Sequence, residues 1–518
     1  MAISLMRLPV MVLVVFSILA GLCPAQVLAQ CAVFEAGRLA SPEAMTGARF
    51  GKAVAIDGRL AVIGAENQGA SGAFTFDGHG AVFVLRRGLS GWVNEATLVN
   101  EPSPLPGSFG TAVAASGQRV LVGAASADGV ALRTGAAYVF ASAGGAWVQE
   151  ARLIADDGRR HDLFGASVAI DGDVAVIGAP QNTLTGPGFA YVFRRVDGVW
   201  NQEAKLLASD GGADDAFGIS VAVRGDTVVV GAWNHLNNAQ SFPDGEGAAY
   251  IFRFTGETWV QTNKLSPSGV PAGQRDRFGR AVSLDENGSV LAVGTSAITI
   301  GFIADANEPV YVFRDDGKDW PLEAKLIPSG GGARDTVAIS GGTIIAGSWT
   351  AWTVDEDCPP FDNCYSGAAT VFALTDKDGW MQRSVLVPTD IARGDAFGWA
   401  VALGGGEAII GSWRNGDAGI DSGSAYFFTG LGDCNNNDAL DACDIEDGTS
   451  EDANADGVPD QCQCAPDLTG DGLLGFFDVA AFLNAFSAGA APGDWTGDGV
   501  FDFFDVSAYL SDFAAGCP

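Results

Sequence analysis

Phe164-Gly165-Ala166-Ser167-Val168-Ala169-Ile170-Asp171-Gly172-Asp173-Val174-Ala175-Val176-Ile177-Gly178-Ala179-Pro180 is the stretch that decides the fold. It is continued by Ala190-Tyr191-Val192-Phe193 and closed by Trp200-Asn201-Gln202-Glu203-Ala204-Lys205-Leu206. Four short runs of β-branched and aromatic residues alternate with glycine-bearing turns, which is the pattern of four strands joined by hairpins. The Phe-Gly pair recurs at Phe50, Phe109, Phe217, Phe278 and Phe397. Once, Ala333-Arg334 fills its place while Val337-Ala338-Ile339 keeps the register. Seven units therefore follow one another, 53 to 64 residues apart. One four-stranded sheet cannot bury both its faces, whereas sheets packed on their neighbours around an axis can. A β-solenoid has shorter coils than this period.

Closure is also written in the chain. The outer-strand pattern Trp-x-x-Glu-Ala-x-Leu starts, with variations, at Trp92, Trp147, Trp200, Trp259, Trp320 and Trp380, and it is missing after Phe428. Its match is Phe34-Glu35-Ala36-Gly37-Arg38-Leu39 at the other end. The N-terminal strand is thus expected to complete the last blade and leave no open edge. The expected fold is mainly β: a seven-bladed β-propeller over residues 30–430, then a small α-helical pair.

First and second strands are joined by tight turns at Asp57-Gly58, Ser116-Gly117, Asp171-Gly172, Arg224-Gly225, Asn287-Gly288, Gly341-Gly342 and Gly404-Gly405, which is hairpin chemistry. Long connections occur only after the second strand and before the Phe-Gly pair, on one side of each blade, and variable length confined to one side marks a binding face. Trp233, Trp349 and Trp413 open three of these connections, with Trp352 close behind the second. They are candidates for an aromatic ligand platform, local core being the other reading.

These units resemble the FG-GAP repeats of integrin α-subunit propellers over residues 31–430. In that family some blades carry a calcium loop, Asp-x-Asp-x-Asp-Gly, between the first two strands. The tight turns of this chain leave no room for it, so no calcium is expected within the propeller.

The ends carry different signals. Arg7, the apolar run Leu8–Leu22 and Val27-Leu28-Ala29 read as a secretion signal over residues 1–29, which predicts a secreted or cell-surface location and no integral membrane segment. Of nine cysteines, eight lie beyond it, an even number that suits disulfides in an exported protein. Cys358 and Cys364 are placed to close a local loop, Cys464 and Cys517 bracket the last module, and the other pairings stay open.

Between Leu431 and Pro518 there are 18 Asp and Glu and no Lys or Arg, within a chain of net charge −33. Such a balance excludes nucleic acid as a partner. Asp467, Thr469, Asp471, Leu473 and Asp478 occupy positions 1, 3, 5, 7 and 12 of a calcium loop, with Gly472 at the sharp turn. Asp494, Thr496, Asp498, Val500 and Asp505 repeat it, with Gly499 at the turn and Asp502 at position 9. Oxygen ligands in this order suit Ca²⁺.

Residues 464–518 resemble a dockerin-type, EF-hand-like module with two such loops, each leading into a short amphipathic helix. Dockerins bind cohesins through loop positions 10 and 11, here Phe476-Phe477 and Phe503-Phe504, where small hydroxyl residues are commoner. Residues 431–463 resemble thrombospondin type 3 calcium repeats, with Asp433, Asn435, Asn437 and Asp441 echoed by Asp452, Asn454, Asp456 and Asp460, and the resemblance implies that Asp452, Asn454, Asp456 and Asp460 are calcium ligands; a disordered acidic linker is the other reading.

Three histidines, His79, His161 and His235, fall in separate connections and read as surface loop residues. No catalytic motif appears. The expected function is an exported, non-catalytic adhesion or scaffold protein that binds an extracellular protein or glycan. Its Ca²⁺ tail would dock or space it on a cohesin-like or cell-surface partner. The alternatives are a dockerin-bearing component of a polysaccharide-degrading assembly, and a propeller glycosidase or lyase using the charged stretches Asp210–Asp215 or Arg275–Arg277.

Overall fold

The computed structural model describes residues 33–41, 45–72, 77–88, 91–100, 108–181, 186–235, 245–267, 276–296, 308–329, 335–351, 365–375, 377, 379–432, 440–446, 448–450, 459, 466, 468, 476–490, 493, 495 and 500–515. The secretion-signal reading, the 452–460 calcium positions and all cysteines except Cys443 lie outside them. Cys443 is disulfide-bonded.

Seven four-stranded antiparallel sheets form the body. Their innermost strands are Phe50–Asp57, Phe109–Ser116, Ser167–Asp171, Ser220–Arg224, Ala281–Leu284, Thr336–Ser340 and Phe397–Gly404. Each touches the innermost strand of the next blade, and the last touches the first, so together they line a closed axis. The outer place in blade seven is taken by Phe34–Ala40, paired antiparallel to Ser424–Thr429 with Arg38 opposite Tyr426. The chain is a seven-bladed β-propeller closed by its N-terminal strand.

The core lies between blades. Successive side chains of a strand point to opposite faces, so Val120, Val122 and Phe140 of blade two pack against blade one, whereas Leu121 and Val139 pack against blade three. Seven such clusters fill the seven joints.

Six of the seven joints also carry a latch built on the Phe-Gly pair. The backbone of Phe109 bridges Gly80 of the preceding blade, and Phe164, Phe217, Phe278, Phe397 and Phe50 bridge Gly135, Gly188, Gly247, Gly367 and Gly423 in the same way. The glycine is required: at Gly135, with φ of 92°, a Cβ would sit 2.0 Å from the Phe164 carbonyl oxygen. The Phe ring meanwhile turns edge-on to an aromatic ring of its own blade, Phe83 for Phe50 and a tyrosine in the others, as Phe164 does to Tyr191 at 5.5 Å between centroids. The joint between blades five and six replaces all three parts together, with Glu308, Ala333 and Thr370 at the places of the glycine, the Phe and the Tyr.

The outer strands form a belt. Glu95, Glu150, Glu203 and Glu323 each stand at a β-bulge, which re-aims a side chain out of the regular alternation. Each accepts the indole N–H of the next blade's outer strand: Trp147 to Glu95 at 3.1 Å, Trp200 to Glu150 at 3.3 Å, Trp259 to Glu203 at 2.7 Å and Trp380 to Glu323 at 2.9 Å. The Trp-x-x-Glu spacing is therefore a blade-to-blade device. Burial alone would raise the Glu150 carboxyl, but Trp200, Arg119 and Arg195 outweigh it and hold the group below its usual range. Arg314 and Trp380 do the same for Glu323.

On the side of the tight turns, the side chain of one blade caps the turn of the next, as Asp171 does for the Gly225 N–H at 2.7 Å. The chain leaves the propeller on this side. Leu431, Leu440 and Cys443 join the core of the joint between blades six and seven, and Leu431 N–H bonds to Gly406 at 3.0 Å. Helix α1 (Asp441–Glu446) follows directly, so the start of the expected linker packs on the propeller rather than hanging from it. The boundary drawn at residue 430 is not a break in packing. Helices α2 (Phe476–Ala488) and α3 (Phe503–Ala515) pair through Phe482 stacked on Tyr509 at 4.1 Å, with Trp495 edge-on to both. Among the described residues no helix is long and apolar enough to cross a membrane.

Phe109→Ala empties a fully buried ring and is expected to cost about 3–5 kcal/mol in a denaturant titration. Removing residues 33–40 leaves Ser424–Thr429 as an open edge; thermal melting with light scattering should show a lower Tm and self-association, and a melt like the parent's would contradict closure by this strand. Glu150 and Glu323 sit below their unfolded pKa of 4.5, so the folded state binds fewer protons there. Their contribution is complete above that value and is lost as pH falls through the depressed folded values. Urea titrations from pH 6 to pH 3 should show this loss, and Trp200→Phe should lessen it.

Candidate functional site

The backbone around each Phe-Gly pair is distinctive. The residue before the Phe is left-handed, with φ of 60° at Arg49, 47° at Arg277 and 57° at Ala396, and the glycine is left-handed as well. The pairing register skips between Phe50 and Ala53, Phe109 and Ala112, and Phe397 and Ala400. A bulge of this kind turns out the residue it inserts. The residues so placed include Lys52, Thr111 and Trp399, and the corresponding residues of the other blades, just before the strand that lines the axis, are Ala166, Ile219, Arg280 and Asp335.

Their contacts cross from blade to blade. Lys52 Nζ of blade one lies 3.9 Å over the Trp399 ring and 4.7 Å over the Trp413 ring, both of blade seven. Trp399 in turn meets Trp349 of blade six at 5.4 Å and Trp413 at 5.5 Å between centroids. Thr111 of blade two donates to Glu66 of blade one at 3.3 Å. Arg280 of blade five pairs with Asp335 of blade six at 3.5 Å, and Asp335 also accepts the Trp349 indole N–H. The result is three indoles and a lysine gathered at the axis, on the side of the long connections.

The electrostatics of this centre run against the rest of the chain. The Lys52 side chain is 17% exposed. Its pKa is pushed down to about 8, first by burial and then by Arg49, Arg280 and Arg414, while Glu66 opposes the shift. Glu66 is 3.9 Å from Lys52 and 3.0 Å from Arg49. Arg49 and Arg414 also lie over the Trp413 ring at 5.0 and 4.7 Å. The Trp413 indole N–H is buried and has no hydrogen-bond acceptor among the described residues.

Two of the three tryptophans expected to form a platform therefore come together, and the third does not. Trp349 and Trp413 meet through Trp399, whereas Trp233 lies under Arg277, 4.4 Å from its guanidinium, with no ring contact to the others among the described residues. Trp413 is buried at 7% exposure, while Trp233 and Trp349 are half-buried. Trp352 lies outside the described residues. Trp399, Lys52, Arg280 and Asp335 were missed from the sequence, although their common place after Phe-Gly is a signal that could have found them.

His235 is not a surface residue. Its Nδ1 is 2.7 Å from Asp215 and its Nε2 accepts from Lys264 at 2.9 Å. Asp210 accepts from Tyr250 at 2.8 Å and from Lys264 at 2.7 Å. The same anchor recurs with Asp157, bonded to Tyr191 and Lys205, and with Asp390, bonded to Tyr426. The Asp210–Asp215 carboxylates thus pin a connection to its blade. Arg275 lies outside the described residues, and Arg277 is held by the Trp233 stack.

In the tail, Asp478 and Asp505 open α2 and α3, with exposures of 1% and 0%. Asp505 accepts from the Asp502 N–H at 2.9 Å, and Asp502 from the Phe504 N–H at 2.7 Å. Val500 is exposed, as are Phe503 and Phe504. Asp467, Thr469, Asp471, Leu473, Asp494, Thr496, Asp498, Asp452, Asn454, Asp456 and Asp460 lie outside the described residues. Among the described residues no three His, Cys, Asp or Glu converge.

Residues 33–85, 92–140, 147–193, 200–252 and 380–428 match the family model of the FG-GAP repeat. Each match takes in an outer strand and three strands of the following sheet, and the blades on either side of the altered joint, five and six, are not among them. The chain thus carries FG-GAP repeats within a seven-bladed β-propeller. No curated protein matches it. Among solved structures it is similar to Sqt1 of Saccharomyces cerevisiae, at 10% identity over 74% of this chain and 96% of that one, with a TM-score of 0.40. A likeness so slight has no bearing on function.

Lys52 has a folded pKa near 8 against 10.5 unfolded, so between those values the unfolded chain binds more protons. Stability should therefore rise with pH across this window, and the Lys52→Met variant should lack the rise in urea titrations at pH 7.5 to 10.5. Trp413→Ala should cost about 3–5 kcal/mol as a buried ring, and the half-buried Trp349→Ala clearly less. Equal losses would make both of them core.

Proposed function

We propose that this propeller of FG-GAP repeats is an exported, non-catalytic binding scaffold, whose loop-bearing face holds an extracellular protein or glycan and whose calcium-stiffened tail docks or spaces it. The observation that carries the reading is the opposition of two faces. The indole and lysine cluster gathers on the side of the long connections, while the chain leaves through Leu431 on the side of the tight turns. A ligand held on one face and an attachment leaving from the other do not compete for space. Aromatic surface with polar handles is the common currency of protein and glycan recognition.

Calcium in the tail is supported by the chemistry of the donors. Asp478 and Asp505 are buried at the last ligand position of each loop, in a segment without a single Lys or Arg. A buried carboxylate is costly unless a cation or several hydrogen bonds answer it, and loops with Asp or Thr at positions 1, 3 and 5 offer oxygen ligands for Ca²⁺. Bound metal would neutralise these carboxylates; the protein's own part is to hold them at the starts of two helices locked by Phe482 and Tyr509. Attachment to a cohesin-like partner would use the Phe503-Phe504 end, which is exposed.

The reading is tested on the full chain in two steps. Calorimetry should show the Asp467→Ala, Asp494→Ala double variant binding about two Ca²⁺ fewer per chain than the parent, with the propeller's melting unchanged by chelator. At a hundredfold excess over Kd, metal should stabilise the tail by roughly 2.7 kcal/mol. Capture of extracellular proteins and glycans on the immobilised chain should be weakened by Trp349→Ala and unaffected by the double tail variant. Hydrolysis of a captured glycan by the chain would replace the scaffold with the hydrolase reading.

A further inference from the structure

The axial cluster is chemically lopsided. The chain has 62 acidic and 29 basic residues, yet three arginines, Arg49, Arg280 and Arg414, act on Lys52 together with the carboxylate of Glu66. Glu66 is already engaged by Arg49 and Thr111, and Asp335 by Arg280 and Trp349. Cations brought from blades one, five and seven to one half-buried point repel one another, and the repulsion is stronger where water is thin. Such a focus of positive potential concentrates anions, the more so against a negative background.

A second feature narrows the ligand. Trp399 touches both Trp349 and Trp413 beside these cations, and the buried Trp413 N–H has no acceptor among the described residues. A free carboxylate or sulfate needs no such flat apolar area. A pyranose ring bearing one does, because its faces of C–H groups lie well against indoles while its charged substituent reaches the cations.

We propose that the axis of the loop-bearing face binds an acidic saccharide, with its sugar ring against Trp349 and Trp399 and its carboxylate or sulfate held by Lys52 and Arg280. This rests on the scaffold reading and names its ligand class. Glu66, 3.9 Å from Lys52, favours the charged ammonium. Thr111, Ala166 and Ile219, the corresponding residues of blades two to four, carry no charge and would face the neutral part of the saccharide.

The test is a titration of the full-length, calcium-loaded protein at pH 7, followed by tryptophan fluorescence and calorimetry. The probes are a galacturonate trisaccharide, its methyl ester, a sulfated trisaccharide and an aspartate-rich peptide. Saturable binding of the galacturonate or the sulfated probe is expected, the two arms telling carboxylate from sulfate, with the methyl ester at least tenfold weaker. Lys52→Gln and, separately, Arg280→Gln should each weaken binding about tenfold without lowering Tm, and Lys52→Arg should restore the Lys52→Gln loss. Affinity should also fall as pH rises through about 8, where Lys52 loses its proton in the company of Arg49, Arg280, Arg414 and Glu66. Equal binding of acid and ester, or indifference to both charge variants, overturns the proposal. An aspartate peptide that binds as tightly overturns the saccharide. Capture of a neutral glycan or a protein on this face, without preference for acids, overturns the anion while leaving the scaffold intact.

Discussion

The approach of one backbone to another at the Phe-Gly latch is the contact on which the propeller depends. A phenylalanine carbonyl from one blade comes so near the glycine of the previous blade that no side chain fits there. The phenylalanine ring then occupies the top of its own blade against a tyrosine. One residue thus sets the spacing of two sheets and fills one of them. The joint between blades five and six shows the parts to be interdependent. Glycine, phenylalanine and tyrosine are all replaced there at once, because a ring without its socket, or a socket without its ring, would leave strain or a void.

Around this contact the two faces take different characters. On the side of the tight turns, hairpins cap one another and the chain's exit is packed into the joint between blades six and seven. That side is tied down. The opposite side bears the long connections, anchored at their roots by repeated Asp–Tyr pairs such as Asp157 with Tyr191 and Asp390 with Tyr426. Rigid roots with variable lengths between them are how a scaffold presents loops. The outer belt of Trp and Glu works independently of both faces, joining blades at the rim through charge-assisted hydrogen bonds.

The axial cluster is a by-product of the same latch. Two left-handed residues flanking the Phe force a bulge, and the bulge throws the next side chain to the axis. The repeat supplies seven such positions, and the chain spends them unevenly: small or aliphatic residues on one side, Lys52, Arg280, Asp335 and Trp399 on the other. The scaffold fixes where a side chain arrives, and its chemistry is then free to vary.

The number of blades, their four strands and the closing N-terminal strand were legible in the sequence, because glycine turns, two-residue alternation and the missing seventh outer strand are local patterns. The Trp-x-x-Glu spacing was legible as a strand but not as a belt, since its hydrogen bond runs to a residue more than 50 positions away. The tryptophans after the second strands were found, yet their grouping was not. Whether two of them meet depends on which blades are neighbours and on Trp399 between them, so Trp349 and Trp413 joined while Trp233 stayed with Arg277. His235 read as surface because nothing near it in the chain announces that Asp215 and Lys264 close over it. The chain alone determined which residues recur and at what period, since folding of each blade is governed by short-range pattern. Only the ring decided which of them share a point, because closure converts positions 50 to 350 residues apart into neighbours across one axis.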